Sequence, residues 1–189
     1  MPQLLSKRHD RLRRLHSGYY NGYAFVHWSM TIQQRKMGWL DSEFHYLFRE
    51  ELLHSIVRYD LACPIYCLMP DHMHILLIGL SENSNQTKMM EFFRKRLNIH
   101  LQKNGVKFQK QAYDHVLKEH ERKQNAFQSI THYILENPVR KDLVTKASEW
   151  LYSGCLVAGY PDLDPKDNSY WDRFWRIYQI EVGKKIKNG

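Results

Sequence analysis

Residues 61–79 are apolar almost throughout, interrupted chiefly by Met69-Pro70-Asp71 and by two histidines. Proline fixes φ, and aspartate bonds its own backbone, so the triplet reads as a turn. Its flanks, residues 61–68 and 72–79, then read as two strands of a hairpin. Pro64 cannot donate to a ladder, which puts it at an edge or a bulge. A lone hairpin is barely stable in water, so its neighbours decide the fold. Upstream, residues 23–32 alternate, with Ala24, Val26, Trp28, Met30 and Ile32 on one face and Phe25, His27, Ser29 and Thr31 on the other. Asp41 can cap a helix with the stripe Phe44, Leu47, Phe48, Leu52, Ile56, Tyr59. Downstream, Ser84-Asn85 caps a second helix with Met89, Met90, Phe93, Leu97 and Leu101 inward, and a short strand at 106–108 follows Gly105. The order β-α-β-β-α-β specifies an α+β, ferredoxin-like (RNA-recognition-like) sandwich with both helices on one sheet face and the other face open.

Beyond this unit, a helix over about 122–136 is expected to stop at Asn137-Pro138, because a residue before proline resists helical ψ. A further helical segment starts at Pro138. Pro161, Asp162, Asp164 and Pro165 mark a loop. In the tail, Trp171, Phe174, Trp175 and Tyr178 recur at helical spacing, and Trp175 and Tyr178 are assigned to core.

Charge is unevenly placed. Segments 1–16, 86–103 and 173–187 each carry five Lys or Arg against one acid, net +4 apiece. The whole chain is +8, so the remainder carries −4. Basic segments on an acidic body suit a polyanionic partner, although any one segment alone reads better as a solvated helix face. Cys63, Cys67 and Cys155 form no C-x-x-C pair, which argues against a disulfide framework or zinc knuckle. No apolar run nears the ~18 residues of a membrane span. A soluble, cytoplasmic protein is expected.

Two patterns carry chemistry. His72-Met73-His74 lies on a strand, where residues i and i+2 share a face about 6.5–7 Å apart at the backbone. Two such imidazoles can hold one divalent cation and leave positions for phosphate and water. A bare His-x-His is a weak signal, and two exposed sheet histidines are its plainer explanation. Tyr133 and Asn137 stand one helical turn apart, beside the docking stripe Phe127, Ile130, Ile134. A tyrosine hydroxyl titrates near ~10 and needs help to attack at neutral pH. An Asn carbonyl one turn away can complete a metal site. Asn before Pro is also an ordinary helix-junction signature.

Taken together these stretches resemble the tyrosine transposases of the His-hydrophobic-His superfamily, in particular the REP-associated type. "CLMPDHMHILL" (67–77) is similar to that family's Met-Pro-Asn/Asp-His-x-His run. "YILENPVRKDLV" (133–144) resembles its Tyr-Ile-x-x-Asn-Pro-Val-Arg-x-x-Leu-Val run. "EWLYS" (149–153) and "FQKQAYDHVL" (108–117) are similar to further familial stretches, so the likeness covers roughly residues 20–155. Lys141-Asp142 departs from the small residues usual there.

The resemblance implies a catalytic domain at 19–155 that cuts single-stranded DNA at the foot of a hairpin. A basic arm (1–18) would precede it, and a loop with a basic aromatic tail (156–189) would follow. Tyr133 would be the nucleophile, joined to the 5′ phosphate as a 3′ hydroxyl is released. His72, His74 and Asn137 would be ligands of Mg²⁺ or Mn²⁺. For DNA contact the residues singled out are Arg94, Lys95 and Arg96 on the second helix, Arg140 beyond Asn137, and Arg173 and Arg176 in the tail. The partner would be single-stranded DNA with hairpin (repeat-type) elements, the protein nucleoid-associated, and a homodimer compatible with the sequence. Two other readings stand beside this one. The first is an inactive, domesticated hairpin-binding regulator. The second is a His-x-His metallo-phosphoesterase with Asp71 as its nearest extra ligand.

Overall fold

The computed structural model describes residues 15–118 and 126–188. Most of the basic arm, and the 119–125 stretch with the expected helix start at Arg122, lie outside the described residues. The elements are β1 (Phe25–Thr31), α1 (Ser42–Arg58), β2 (Leu61–Met69), β3 (His72–Gly79), α2 (Gln86–Lys103), β4 (Tyr113–Val116), α3 (Ala126–Arg140), β5 (Ser153–Leu156) and α4 (Tyr170–Asn188). The sheet runs β4-β1-β3-β2-β5, with every neighbouring pair antiparallel.

One sheet face follows directly from the alternation. Val26, Trp28 and Met30 of β1 and Met73, Ile75 and Leu77 of β3 are fully buried beneath Phe48, Leu52 and Ile56 of α1 and Met89, Phe93 and Leu97 of α2. The Asp41 carboxylate accepts from Phe44 N at 2.7 Å and Asn85 Oδ1 from Lys88 N at 2.9 Å, so both helices start at side-chain caps. Gln86, fully buried, is a polar residue in this layer. Its Oε1 accepts the Trp28 indole N–H at 3.1 Å and its amide donates to Ala24 O at 2.8 Å. Each large apolar side chain buried here contributes about 1.5–3 kcal/mol.

The opposite face is not open. Phe25, Ile65, Leu76 and Ile78 are covered by Phe127 and Ile134 of α3 and by Tyr170, Phe174 and Ile177 of α4. The aromatic tail is therefore packed on the same sheet. Its buried members are Tyr170 and Phe174, while Trp175 and Tyr178 are half-buried against them. Pro64 explains part of this docking. It lies at a bulge, where the register breaks between Ala62 and Ile65 on the β3 side and between Cys63 and Tyr66 on the β5 side. The Pro64 carbonyl accepts from Tyr170 OH at 2.5 Å. β2 is not an edge strand, because β5 pairs outside it; β5 was not anticipated.

Two further expectations are corrected. The strand expected at 106–108 is reduced to a single bridge between Phe108 and Ile32. Val106 and Phe108 are buried, but the strand that pairs with β1 is Tyr113–Val116. And α3 does not stop at Asn137: it runs through Pro138 to Arg140. Pro138 has no N–H for the Ile134 carbonyl, so the ladder lacks one bond there and the helix runs only two residues further. The helix then closes with Leu143 N donating to Pro138 O and Asp142 N to Val139 O, both at 2.9 Å. Asp142 is left-handed (φ 54°), in the place where such closures favour glycine.

Candidate functional site

His72 and His74 project from β3 toward the α3/α4 side. Their cross-strand partners on β1 are Thr31 and Ser29, and His27, one step further on the same face, sits opposite Leu76. The two imidazoles confront each other, Nε2 to Nε2, at 3.1 Å. Two ligands in adjacent positions around a six-coordinate ion with bonds of about 2.1 Å stand about 3 Å apart. This pair therefore has the bite of a chelate. Each ring is also held from its other nitrogen. His72 Nδ1 lies 2.5 Å from Asp71 Oδ1, whose second oxygen accepts from Arg35 Nη1 at 2.6 Å. His74 Nδ1 lies 3.0 Å from His27 Nε2.

Burial governs the charge state here. His74 is only 5% exposed, and burial, then the neighbouring His27 and His72, lower its pKa to about 3. Burial, then His115 on β4, lowers His27 to about 4. Both rings are neutral at pH 7, the form that binds metal. The Asp71 carboxyl is likewise held below its ordinary value. Its partial burial, which opposes this, is outweighed by the His72 and Arg35 hydrogen bonds. Arg35 reaches it from a strained turn in which Gln34 and Arg35 are both left-handed, at φ 59° and 51°.

Above the histidines lies α3. Ile134 is buried toward the sheet while Tyr133, one position round, stays 38% exposed. The Tyr133 ring meets His74 edge-on at 5.5 Å between centroids and His27 at 6.3 Å. Arg140, two turns on, places its guanidinium 5.0 Å from the centre of the Tyr133 ring. Asn137 is buried, and its amide donates to Tyr133 O at 2.8 Å. Its bond is thus to the backbone of the tyrosine, not to either imidazole. Among the described residues, no group of three or more His, Cys, Asp and Glu side chains is arranged to hold a metal ion. The two imidazole nitrogens that face one another here are those of His72 and His74.

The structure brings His72, His74, Tyr133 and Arg140 together, and adds His27, which the sequence reading had placed only as a polar position of β1. The cue was the alternation that put it opposite the Trp28 face. Its approach to His74 depends on strand register, which no single strand reveals. The expected DNA-contacting residues divide. Arg173 and Arg176 lie on α4, on the side of the histidines. Arg94, Lys95 and Arg96 lie on α2, across the sheet. Arg94 donates to the carbonyls of Gln109 and Lys110, and Arg96, though exposed, forms a two-pronged ion pair with the nearly buried Glu51 of α1; Lys95 is exposed as well.

No family model matches the chain, and no curated protein does either. Among solved structures, one of a REP-associated tyrosine transposase bound to a REP hairpin is similar in fold, with a TM-score of 0.63 and 16% identity. The match covers 76% of this chain and 81% of that one.

Proposed function

We propose that this chain nicks and rejoins single-stranded DNA beside hairpins, with Tyr133 as nucleophile. The observation that carries this reading is the half-exposed Tyr133 ring packed 5.5 Å from His74, with the Arg140 guanidinium against it. The likeness in fold to a hairpin-bound tyrosine transposase supports it. A ferredoxin-like unit, β1 through β4, is then the platform, and α3 delivers the tyrosine.

In the cleavage step, Tyr133 Oη attacks the phosphorus of one phosphodiester. The Oη–P bond forms as the P–O3′ bond breaks. The phenolic proton passes to solvent, and the departing 3′ oxygen takes one up as a hydroxyl. The product is a 5′-phosphotyrosine, and attack on it by a 3′ hydroxyl restores a phosphodiester, so bond energy is kept and no nucleotide cofactor is consumed. His72 and His74 would hold Mg²⁺ or Mn²⁺, with the Asn137 oxygen as third ligand. When bound, the cation supplies Lewis-acid polarisation of the phosphate. Arg140 is the side chain placed to neutralise the phosphate charge as it meets the ring. Asn137 bonds the Tyr133 carbonyl and so ties down the turn of α3 that presents the ring. Arg173, Arg176 and Lys95 are the remaining candidates for phosphate contact.

The test is Tyr133→Phe, which removes the hydroxyl and leaves the packed ring. Wild type incubated with a hairpin oligonucleotide and Mn²⁺ should give a protein–DNA band that survives denaturing electrophoresis, and the variant should give none. A variant that binds the hairpin and still forms the adduct would move the chemistry to another residue. A wild type that binds the hairpin and forms none would favour a pure hairpin-binding role.

A further inference from the structure

His27 belongs to neither of the motifs that point to the proposed chemistry, yet it is the side chain most closely tied to His74. It is 7% exposed and sits on β1 next to the strand that carries both imidazoles. Its Nε2 is 3.0 Å from His74 Nδ1. A neutral imidazole has one N–H, so a partner on one nitrogen decides what the other can do. For His74 to offer its Nε2 lone pair to a cation shared with His72, its proton must sit on Nδ1, and His27 Nε2 is the acceptor in place for it. His72 has the matching arrangement, with the Asp71 carboxylate on its Nδ1.

We infer that His27 is a positioning residue that fixes the ring and tautomer of His74, as Asp71 does for His72. This rests on the proposed role of the histidine pair. The same spacings allow an arrangement without a cation. Starting from His27 Nε2–H, the bonds can then run in one direction, through His74 Nε2–H and His72 Nδ1–H to Asp71. Every ring has one proton, and every contact one donor. With a cation on the two Nε2 lone pairs, the His27–His74 bond would run the other way, with His74 Nδ1 as donor and His27 Nε2 as acceptor. The protons balance: His74 gains one at Nδ1 and gives up one from Nε2, while His27 gives one up at Nε2 and regains one at Nδ1.

The experiment uses the full chain, Mn²⁺ alone and no DNA. His27→Phe keeps a ring but removes the acceptor, whereas His27→Gln restores an amide oxygen near the lost Nε2. Thermal unfolding first establishes that both variants fold. Binding read from the loss of the free Mn²⁺ electron-spin-resonance signal should weaken roughly 10–100-fold in His27→Phe. In His27→Gln it should recover to within about threefold of wild type. Wild-type affinity in His27→Phe, or an equal loss in both variants, overturns the inference. A second measurement needs no metal. In ¹⁵N-labelled protein the His74 ring-nitrogen shifts should move in His27→Phe, and unchanged shifts overturn the inference by themselves. A wild type that takes up no Mn²⁺ sinks the functional reading instead, and the metal-free spectra still decide whether His27 holds His74.

Discussion

The two faces of the sheet come from the same strands but are built differently. Under α1 and α2, the inward positions of β1 and β3 are Val26, Trp28, Met30, Met73, Ile75 and Leu77, and two cations of α2, Arg94 and Arg96, bond to groups of the protein itself. Under α3 and α4, apolar residues occupy one end of the same strands, with Phe25, Leu76 and Ile78. The other end carries His27, His72 and His74. A strand can serve as scaffold on one face and site on the other, because alternate residues never meet. What sets the second face apart is a row of polar rings, buried yet paired at nitrogen after nitrogen, beneath a half-exposed tyrosine.

The contrast breaks most sharply at the histidines. His74→Ala should abolish Mn²⁺-dependent nicking, measured on a labelled hairpin with a single-stranded flank. Because His74 is buried, the variant should also lose stability, unlike a substitution on an open face. Full cleavage in excess chelator would remove the metal role. On the opposite face, Phe48→Ala should cost about 3–5 kcal/mol in chemical denaturation. At a temperature where the variant is folded, its nicking rate should stay near wild type; a large loss would mean that the faces are coupled.

Acid separates the faces in another way. His27 and His74 have folded pKa values below that of a free imidazole, so the unfolded chain takes up protons first as pH falls below about 6.5. Their contribution is fully present above that pH and is lost as pH falls toward about 4 and 3. In chelator, unfolding midpoints should therefore drop steadily from pH 7 to pH 4, and less steeply in His27→Gln. On the α1/α2 face the effect comes later. The Glu51 carboxyl is held below its ordinary value despite partial burial, because Arg96 and His100 donate to it. Its contribution is present above about pH 4.3 and fades only below that. The margin of wild type over Glu51→Gln should thus survive at pH 5 and shrink by pH 3.

The smallest effect concerns DNA affinity. Replacing Arg94, Lys95 and Arg96 by Gln should lower the log–log salt slope of hairpin binding by no more than about 0.7–0.9, the share of one phosphate contact. A fall of about 2–3 would mean that all three touch phosphates, making the α2 face a DNA surface after all.

Most of the α1/α2 face was legible in the sequence, because alternation in β1, the turn at Pro70-Asp71 and the stripes of α1 and α2 are local signals. Asp41 and Asn85 cap as their residue types require. The misses share a cause, since each was decided by contacts distant in sequence. Val106 and Phe108 are apolar and buried but find only one bridge, while Tyr113–Val116, with no clear pattern, wins the edge of β1. β5 is four residues long, with a glycine whose missing side chain leaves room for the Tyr66 hydroxyl. Asn137-Pro138 reads as a stop, and the helix does end two residues later, at Arg140. At the site, His-x-His and the Tyr–Asn turn were readable as motifs. Their meeting was not, because it depends on α3 crossing the face that the sequence reading had left open. His27 was hidden because its approach to His74 depends on the register of β1 against β3.

The central claim, that Tyr133 lies in a phosphate-transfer site with the histidine pair, has one direct test. Wild-type protein is incubated with Mn²⁺ and a hairpin oligonucleotide, the DNA is trimmed with nuclease, and the digested protein is mapped by mass spectrometry. The account expects a nucleotide on the peptide that contains Tyr133, absent in His74→Ala. A nucleotide on any other tyrosine, or an unmodified Tyr133 peptide from protein that has cut its DNA, would contradict it.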